Sequence, residues 1–259
     1  MRQNRKTYGV IGATDNKGHF TGEGSTEAYL VYSARADGHY SSGHKFTAFT
    51  GVSGIPGFRK WQPWNPTLKV VLKKKVNPIP MYAYYTGMIS FPDAEGDVGY
   101  DLVKHDWVSP HGKGTTADFL FKLDGEFRSM KDSNVNFSLE FTNEADGLQP
   151  FIAEKSQGSH FISDHHAPLT GYQPSLIQSR INAPGKLSKT SYNKGDDYNY
   201  YFRIRCDGDD ESSCLYGKIY DRIEFAARGF LSFSYYLNPT LGDTNVEFGS
   251  IPKEIYLKT

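Results

Sequence analysis

The stretch Tyr198-Asn199-Tyr200-Tyr201-Phe202-Arg203-Ile204-Arg205-Cys206 decides the fold class. Read at period two, it puts Tyr198, Tyr200, Phe202, Ile204 and Cys206 on one face and Asn199, Tyr201, Arg203 and Arg205 on the other. Successive side chains of an extended chain point to opposite faces, so the segment reads as a β-strand. The acidic loop Asp207-Gly208-Asp209-Asp210-Glu211-Ser212-Ser213 follows, and Cys214-Leu215-Tyr216 opens the next apolar run. The two halves form a hairpin with a cysteine at each closing end. A disulfide between Cys206 and Cys214 would pin the loop, adding on the order of 2 kcal/mol in the chain-entropy account, and would favour an oxidising compartment. The alternative is two ordinary buried thiols.

The same alternation recurs elsewhere. Val135, Phe137, Leu139 and Phe141 alternate with Asn136, Ser138, Glu140 and Thr142, and Leu231, Phe233, Tyr235 and Leu237 with Ser232, Ser234 and Tyr236. Leu68, Val70 and Leu72 share one face of a strand expected over Thr67 to Lys73. Phe119 to Leu123 is a further short strand, and Tyr29 to Ser33 is a strand expected to be buried on both faces. Between them lie Asp15-Asn16-Lys17-Gly18, Gly51 to Gly57, Asp146-Gly147 and Asp207-Gly208, where glycine supplies positive φ and Asp or Asn bonds its own turn. One short helix is expected at Ser175 to Ile181. Many short strands between such turns read as an all-β protein of the β-sandwich type. The best internal boundary is Val76-Asn77-Pro78-Ile79-Pro80, because each proline removes a backbone donor and favours extended backbone. It divides the chain into two sandwich-like units, a small one over 7–75 and a larger one over 81–259. The alternative is a Pro-rich connection inside one domain.

Composition narrows the function classes. In 259 residues there are 18 Tyr, 17 Phe and 3 Trp beside 26 Gly, which excludes a coiled coil and argues against disorder. Lys and Arg total 29 and so do Asp and Glu, so there is no electrostatic case for nucleic-acid binding. No apolar run reaches the roughly 20 residues of a membrane span. No apolar segment of the secretory type follows Met1 to Lys6, an appearance that a chain starting after a removed signal would share.

Thr14-Asp15-Asn16-Lys17-Gly18-His19-Phe20 has the form T-D-x-x-G-x-F, and Ala36-Asp37-Gly38-His39-Tyr40 follows about twenty residues later, with Tyr29 to Ala34 as the strand between. On these motifs the segment Tyr8 to Leu72 resembles carboxypeptidase-regulatory-like (transthyretin-like) β-sandwich domains. The resemblance implies a non-catalytic module of the kind common in bacterial secreted and surface proteins, with a tight turn at Asp15 to Gly18 and Phe20 plugging the core. The remainder, with Trp61-Gln62-Pro63-Trp64-Asn65-Pro66 and Tyr235 to Thr240, loosely resembles uncharacterised bacterial proteins, and no function carries over from those.

Trp61, Trp64 and Tyr82 are the candidate ligand-binding residues, since tryptophan and tyrosine rings stack on sugar faces and anchor protein interfaces. Tyr84 and Tyr85 share the position of Tyr82 just after the boundary. The competing reading makes these rings core. Asp164 and His165 in the His160–His166 run, and Asp207 and Asp209 in the acidic loop, are the candidate metal ligands. Calcium would suit the acidic loop, although the EF-hand spacing is absent; a solvated loop is the ordinary reading of both segments. No G-x-S-x-G elbow or phosphate loop occurs, and no catalytic residue is assigned. The expected function is a non-catalytic secreted, periplasmic or cell-surface protein for binding or assembly, with a glycan or a surface protein as partner. A glycan-acting hydrolase with a carboxylate pair or loop-bound metal is the first alternative, and a virion or appendage subunit the second.

Overall fold

The alternating segments pair as antiparallel strands. A computed structural model describes residues 9–24, 29–47, 49–50, 60–61, 65–92, 96–152, 159, 161–185, 189–190, 198–208 and 210–251. Among them the chain is all-β, with no α-helix and one turn of 3-10 helix at Glu211–Ser213. Its contacts divide it into two units, Met1–Lys74 with Ser156–Phe161, and Lys75–Lys155 with Ile162–Thr259.

In the first unit, β1 (Leu30–Ala34) pairs with β2 (Ser42–Phe46), and β3 (Phe49–Thr50) with β4 (Lys60–Trp61). β1 is not buried on both faces: Val31 is 65% exposed, while Leu30, Tyr32 and Ala34 are half-buried. Thr67 to Lys73 is not a strand either. It makes isolated contacts in place of a ladder: the Tyr40 N–H donates to the Lys73 carbonyl, the Ser42 hydroxyl to the Val71 carbonyl, and Lys74 bridges to His39. The Asp15 turn forms as expected, with Oδ1 accepting the N–H groups of Lys17 and His19 and Gly18 at φ 80°. Phe20, however, is 47% exposed. Its ring lies against Gly12, where a Cβ would collide with it, so it covers its own turn and plugs no core.

The second unit holds β5 (Ile79–Pro80), β6 (Tyr82–Tyr85), β7 (Ile89–Ser90), β8 (Val98–Asp101), β9 (Asp106–Trp107), β10 (Phe119–Ser129), β11 (Asp132–Glu140), β12 (Gly147–Ile152), β13 (Ser175–Asn182), β14 (Lys189–Thr190), β15 (Tyr198–Ile204), β16 (Leu215–Ala226), β17 (Phe230–Leu237) and β18 (Phe248–Ser250). Two six-stranded sheets form, one in the order β14-β13-β11-β10-β8-β9, the other β12-β15-β16-β17-β6 with β7 also on β17, and β5 pairs in parallel with β18. Their facing sides share one core. Phe119 meets Phe202 at 5.2 Å, Tyr100 meets Phe233 at 5.3 Å, and Phe137 stacks on Phe225 at 5.2 Å. Each such buried ring contributes about 1.5–3 kcal/mol relative to exposure. Gly217 is required beneath Phe202, since a Cβ there would run into that ring and into the Tyr236 carbonyl.

The outer face of β15 and β16 is buried too. Tyr201, Tyr216, Cys206, Cys214, Met81, Ala167 and Val246 make a second cluster. This explains why Asn199 and Tyr201, on the polar side of the decisive stretch, are as buried as Tyr200 and Phe202. Lys218 on that face is 2% exposed; its ammonium donates to Ser163 at 2.9 Å and lies over the rings of Tyr236 and Tyr220.

Ser175 to Ile181 belongs to β13 and is not a helix. The segment pairs residue for residue with β11, from Glu140↔Ser175 to Ser133↔Asn182. Its inner face carries Leu176, Gln178 and Arg180, opposite Leu139, Phe137 and Val135, while Ile177 and Ile181 point outward. Mixed polarity on both faces erases the period-two signal.

Candidate functional site

The chain reversals after β8, before β10, after β11 and after β15 bring three acids and one arginine together at one end of the larger unit. Asp101 closes β8 and is 1% exposed. Its carboxylate accepts four backbone N–H groups, from Val103, Lys104, Thr115 and Thr116, at 2.9–3.1 Å. Burial raises its pKa, but these four donors together outweigh burial and hold it below the usual carboxylate value. Asp118 is 2% exposed and takes Arg205 through both oxygens, Nε at 2.7 Å and Nη2 at 2.9 Å, plus the Leu102 N–H. Burial there wins, and the Asp118 carboxyl sits above its ordinary value against the pull of Arg205. Asp146 accepts the N–H groups of Arg205 and Cys206 at 3.1 and 3.0 Å, and burial raises it as well. These bonds tie the start of the 206–214 loop to both sheets. Cys206 and Cys214 are joined in a disulfide. Inside that loop Asp210 accepts Ser212 N–H at 2.9 Å and caps the 3-10 turn at Glu211–Ser213.

The second part of the site is aromatic. His105, in the turn between β8 and β9, stacks on Tyr84 of β6 at 4.6 Å. Its Nδ1 lies 2.5 Å from the hydroxyl of Tyr235, which is fully buried. That hydroxyl donates its only proton to the Leu102 carbonyl at 2.6 Å. The imidazole must therefore be the donor at Nδ1, which leaves Nε2 as the acceptor nitrogen. Burial lowers the His105 pKa against the raising effect of Asp101, so the ring is neutral at pH 7. His105 and Arg205, both at φ 58°, are the two non-glycine residues with positive φ among the described residues. Such backbone costs on the order of 1–3 kcal/mol and gathers at sites that need a fixed geometry.

Tyr82 and Tyr84 share one face of β6, an edge strand, opposite Leu237 and Tyr235. Tyr82 is half-buried against the core and lies near enough to Arg205 to raise the guanidinium pKa. Tyr84 is 41% exposed and Tyr85, on the other face, 68%. This edge combines rings, an imidazole acceptor and a cation, a set suited to hydroxyl-rich or amphipathic ligands.

The remaining expected residues fall elsewhere. Trp61 lies on β4, with its side chain outside the described residues; Trp64 and Asp209 are outside them altogether. Asp164 is exposed, its backbone N–H donating to the Tyr201 hydroxyl at 2.8 Å. His165 Nε2 lies 3.9 Å from Glu247, which is fully buried and accepts the N–H groups of Val76 and Asn77. Asp207 donates its N–H to Ser213 within the hairpin loop. Among the described residues no group of three or more His, Cys, Asp or Glu is placed to hold a metal ion. His105, Arg205 and the three acids were not legible as a cluster, because 104 positions separate Asp101 from Arg205 and no spacing in the sequence links them. Also among the described residues, no helix is long and apolar enough to cross a membrane. No protein-family model, curated protein or solved structure matches the chain.

Proposed function

We propose that the chain is a non-catalytic secreted, periplasmic or cell-surface module that binds a glycan along the β6 edge. Tyr82 and Tyr84, on one face of that strand, are the contact residues and His105 is the positioning residue that holds Tyr84. The observation that carries this reading is the stacking of Tyr84 on His105, whose Nδ1 is held by the Tyr235 hydroxyl: an exposed ring fixed from behind, beside an imidazole left with Nε2 as its acceptor nitrogen. A rigid ring loses little entropy when a sugar face packs on it. The disulfide supports the oxidising location. The buried acids favour binding over hydrolysis, since the carboxylates of Asp101, Asp118 and Asp146 are taken up by backbone N–H groups and Arg205. Screening the full chain and its Tyr84→Ala variant on a glycan array tests the reading. Retention of a glycan by the parent, with about tenfold weaker retention by the variant, supports it. Equal retention by both, or none by the parent, overturns it.

A further inference from the structure

His105 and Arg205, the two non-glycine residues at positive φ among the described residues, are both anchored on Leu102. Leu102 is fully buried and gives its N–H to Asp118, which holds Arg205 through Nε and Nη2. Its carbonyl takes the proton of the Tyr235 hydroxyl, and that same oxygen holds His105 Nδ1. Each side chain is therefore fixed from behind and keeps one nitrogen for other partners. Arg205 Nη1 and His105 Nε2 make no hydrogen bond among the described residues, and neither is a buried atom left without a partner, so both open to solvent. Nη1 can only donate, whereas Nε2 is an acceptor once Nδ1 carries the proton. Strained backbone persists where a fixed geometry is used, and here it sits at the two residues that present these nitrogens.

Both nitrogens belong to the tyrosine edge. His105 stacks on Tyr84 at 4.6 Å, and the Arg205 guanidinium lies near enough to Tyr82 to feel the phenol's charge. Tyr82 and Tyr84 share one face of β6 two residues apart, about 7 Å along the strand, a span close to that of one sugar ring. The donor thus stands at the Tyr82 end and the acceptor at the Tyr84 end. Charge narrows the ligand further. The guanidinium is already met by Asp118 at 2.7 Å, and Asp101 stands 3.7 Å from Nη2. Arg205 therefore offers a hydrogen bond without surplus positive charge, and a carboxylate on the ligand would be drawn toward two others.

We propose that this edge selects a neutral hexose: one ring hydroxyl accepts a hydrogen bond from Arg205 Nη1, a second donates to His105 Nε2, and a sugar face packs on Tyr84. The inference rests on the glycan reading of the β6 edge and adds to it the substrate class and Arg205 as a specificity-determining residue. Titrating isotope-labelled full-length protein with the methyl β-glycosides of glucose and galactose, methyl α-mannoside and methyl β-glucuronide tests it by NMR, because Tyr84, Arg205 and His105 report separately. A neutral hexoside should saturably shift the Tyr84 ring signals together with the Arg205 side-chain N–H groups and the His105 Nε2 resonance. The glucuronide should bind at least about fivefold more weakly. Among monodeoxy derivatives of the hexoside that binds, loss of the accepting hydroxyl should weaken binding about tenfold and abolish the Arg205 shift alone. Loss of the donating hydroxyl should do the same for His105. Varying the ligand leaves the Arg205–Asp118 pair intact, so no result depends on a variant folding. Shifts at Tyr84 that leave Arg205 or His105 unmoved, or a glucuronide bound as tightly as the hexosides, overturn the inference and leave the glycan reading standing. No shift at Tyr84 with any of the four sugars up to about 100 mM also overturns it, and the glycan reading is then judged on its array result.

Discussion

Replacing Arg205 by alanine removes the group on which the acid-lined end of the larger unit depends. Its guanidinium gives two charge-assisted hydrogen bonds to Asp118, at 2.7 and 2.9 Å, and stands 3.7 Å from Asp101. Removing one member of a fully buried pair costs about 3–5 kcal/mol, because the other charge is left desolvated. Asp118 is buried, but the Arg205 side chain is 33% exposed, so water can enter where it stood. The expected loss is therefore about 2–4 kcal/mol. The backbone provides an internal control. At φ 58° an L-residue is strained by about 1–2 kcal/mol and glycine is not, although glycine loses about 0.5–1 kcal/mol more entropy on folding. Arg205→Gly should thus be less damaging than Arg205→Ala by roughly 0.5–1 kcal/mol. Equilibrium urea unfolding followed by tryptophan fluorescence is the assay, since Trp107 is 7% exposed in the core. A loss under about 1 kcal/mol for alanine would place the pair with ordinary surface ion pairs and refute the clamp. Glycine proving worse than alanine would refute the strain.

Two further outcomes are expected. Removing the disulfide with Cys206→Ala and Cys214→Ala closes no loop in the unfolded chain and should lower stability by about 2.5 kcal/mol in urea titrations, given a separation of 8 residues. His105 has its folded pKa lowered, first by burial, so the unfolded chain binds a proton more readily than the folded one. Its stabilising contribution is then full above about pH 6.5 and declines as pH falls below that value. Thermal unfolding midpoints should drop from pH 7.5 to pH 5.5, by less in His105→Gln; an identical pH profile in that variant would contradict the assignment.

How much of this was readable beforehand follows from which faces are buried. β11 and β17 were legible because one face of each packs on the core and the other is polar. β15 was legible as a strand, but its polar face gave no sign that Tyr201 and Asn199 would be covered by distant segments. β13 was misread because Gln178 and Arg180 sit inside while Ile177 and Ile181 sit outside, so the apolar spacing imitates a helical turn. Thr67 to Lys73 alternates as a strand should, yet alternation records burial and cannot supply a pairing partner. Phe20 follows its turn as the resemblance implies but covers Gly12. Tyr82 was singled out from its place after the prolines, whereas the roles of Tyr84 and His105 depend on Tyr235, reached only through sheet pairing. Asp101, Asp118, Asp146 and Arg205 lie in four separate chain reversals, and only the topology gathers them.

Binding without turnover at the β6 edge is open to saturation-transfer NMR on the full chain, with a glycan that the array selects. The sugar protons should show saturation that is lost in Tyr84→Ala, and the glycan spectrum should stay unchanged on prolonged incubation. New reducing-end signals growing with time, or saturation undiminished in Tyr84→Ala, would contradict it.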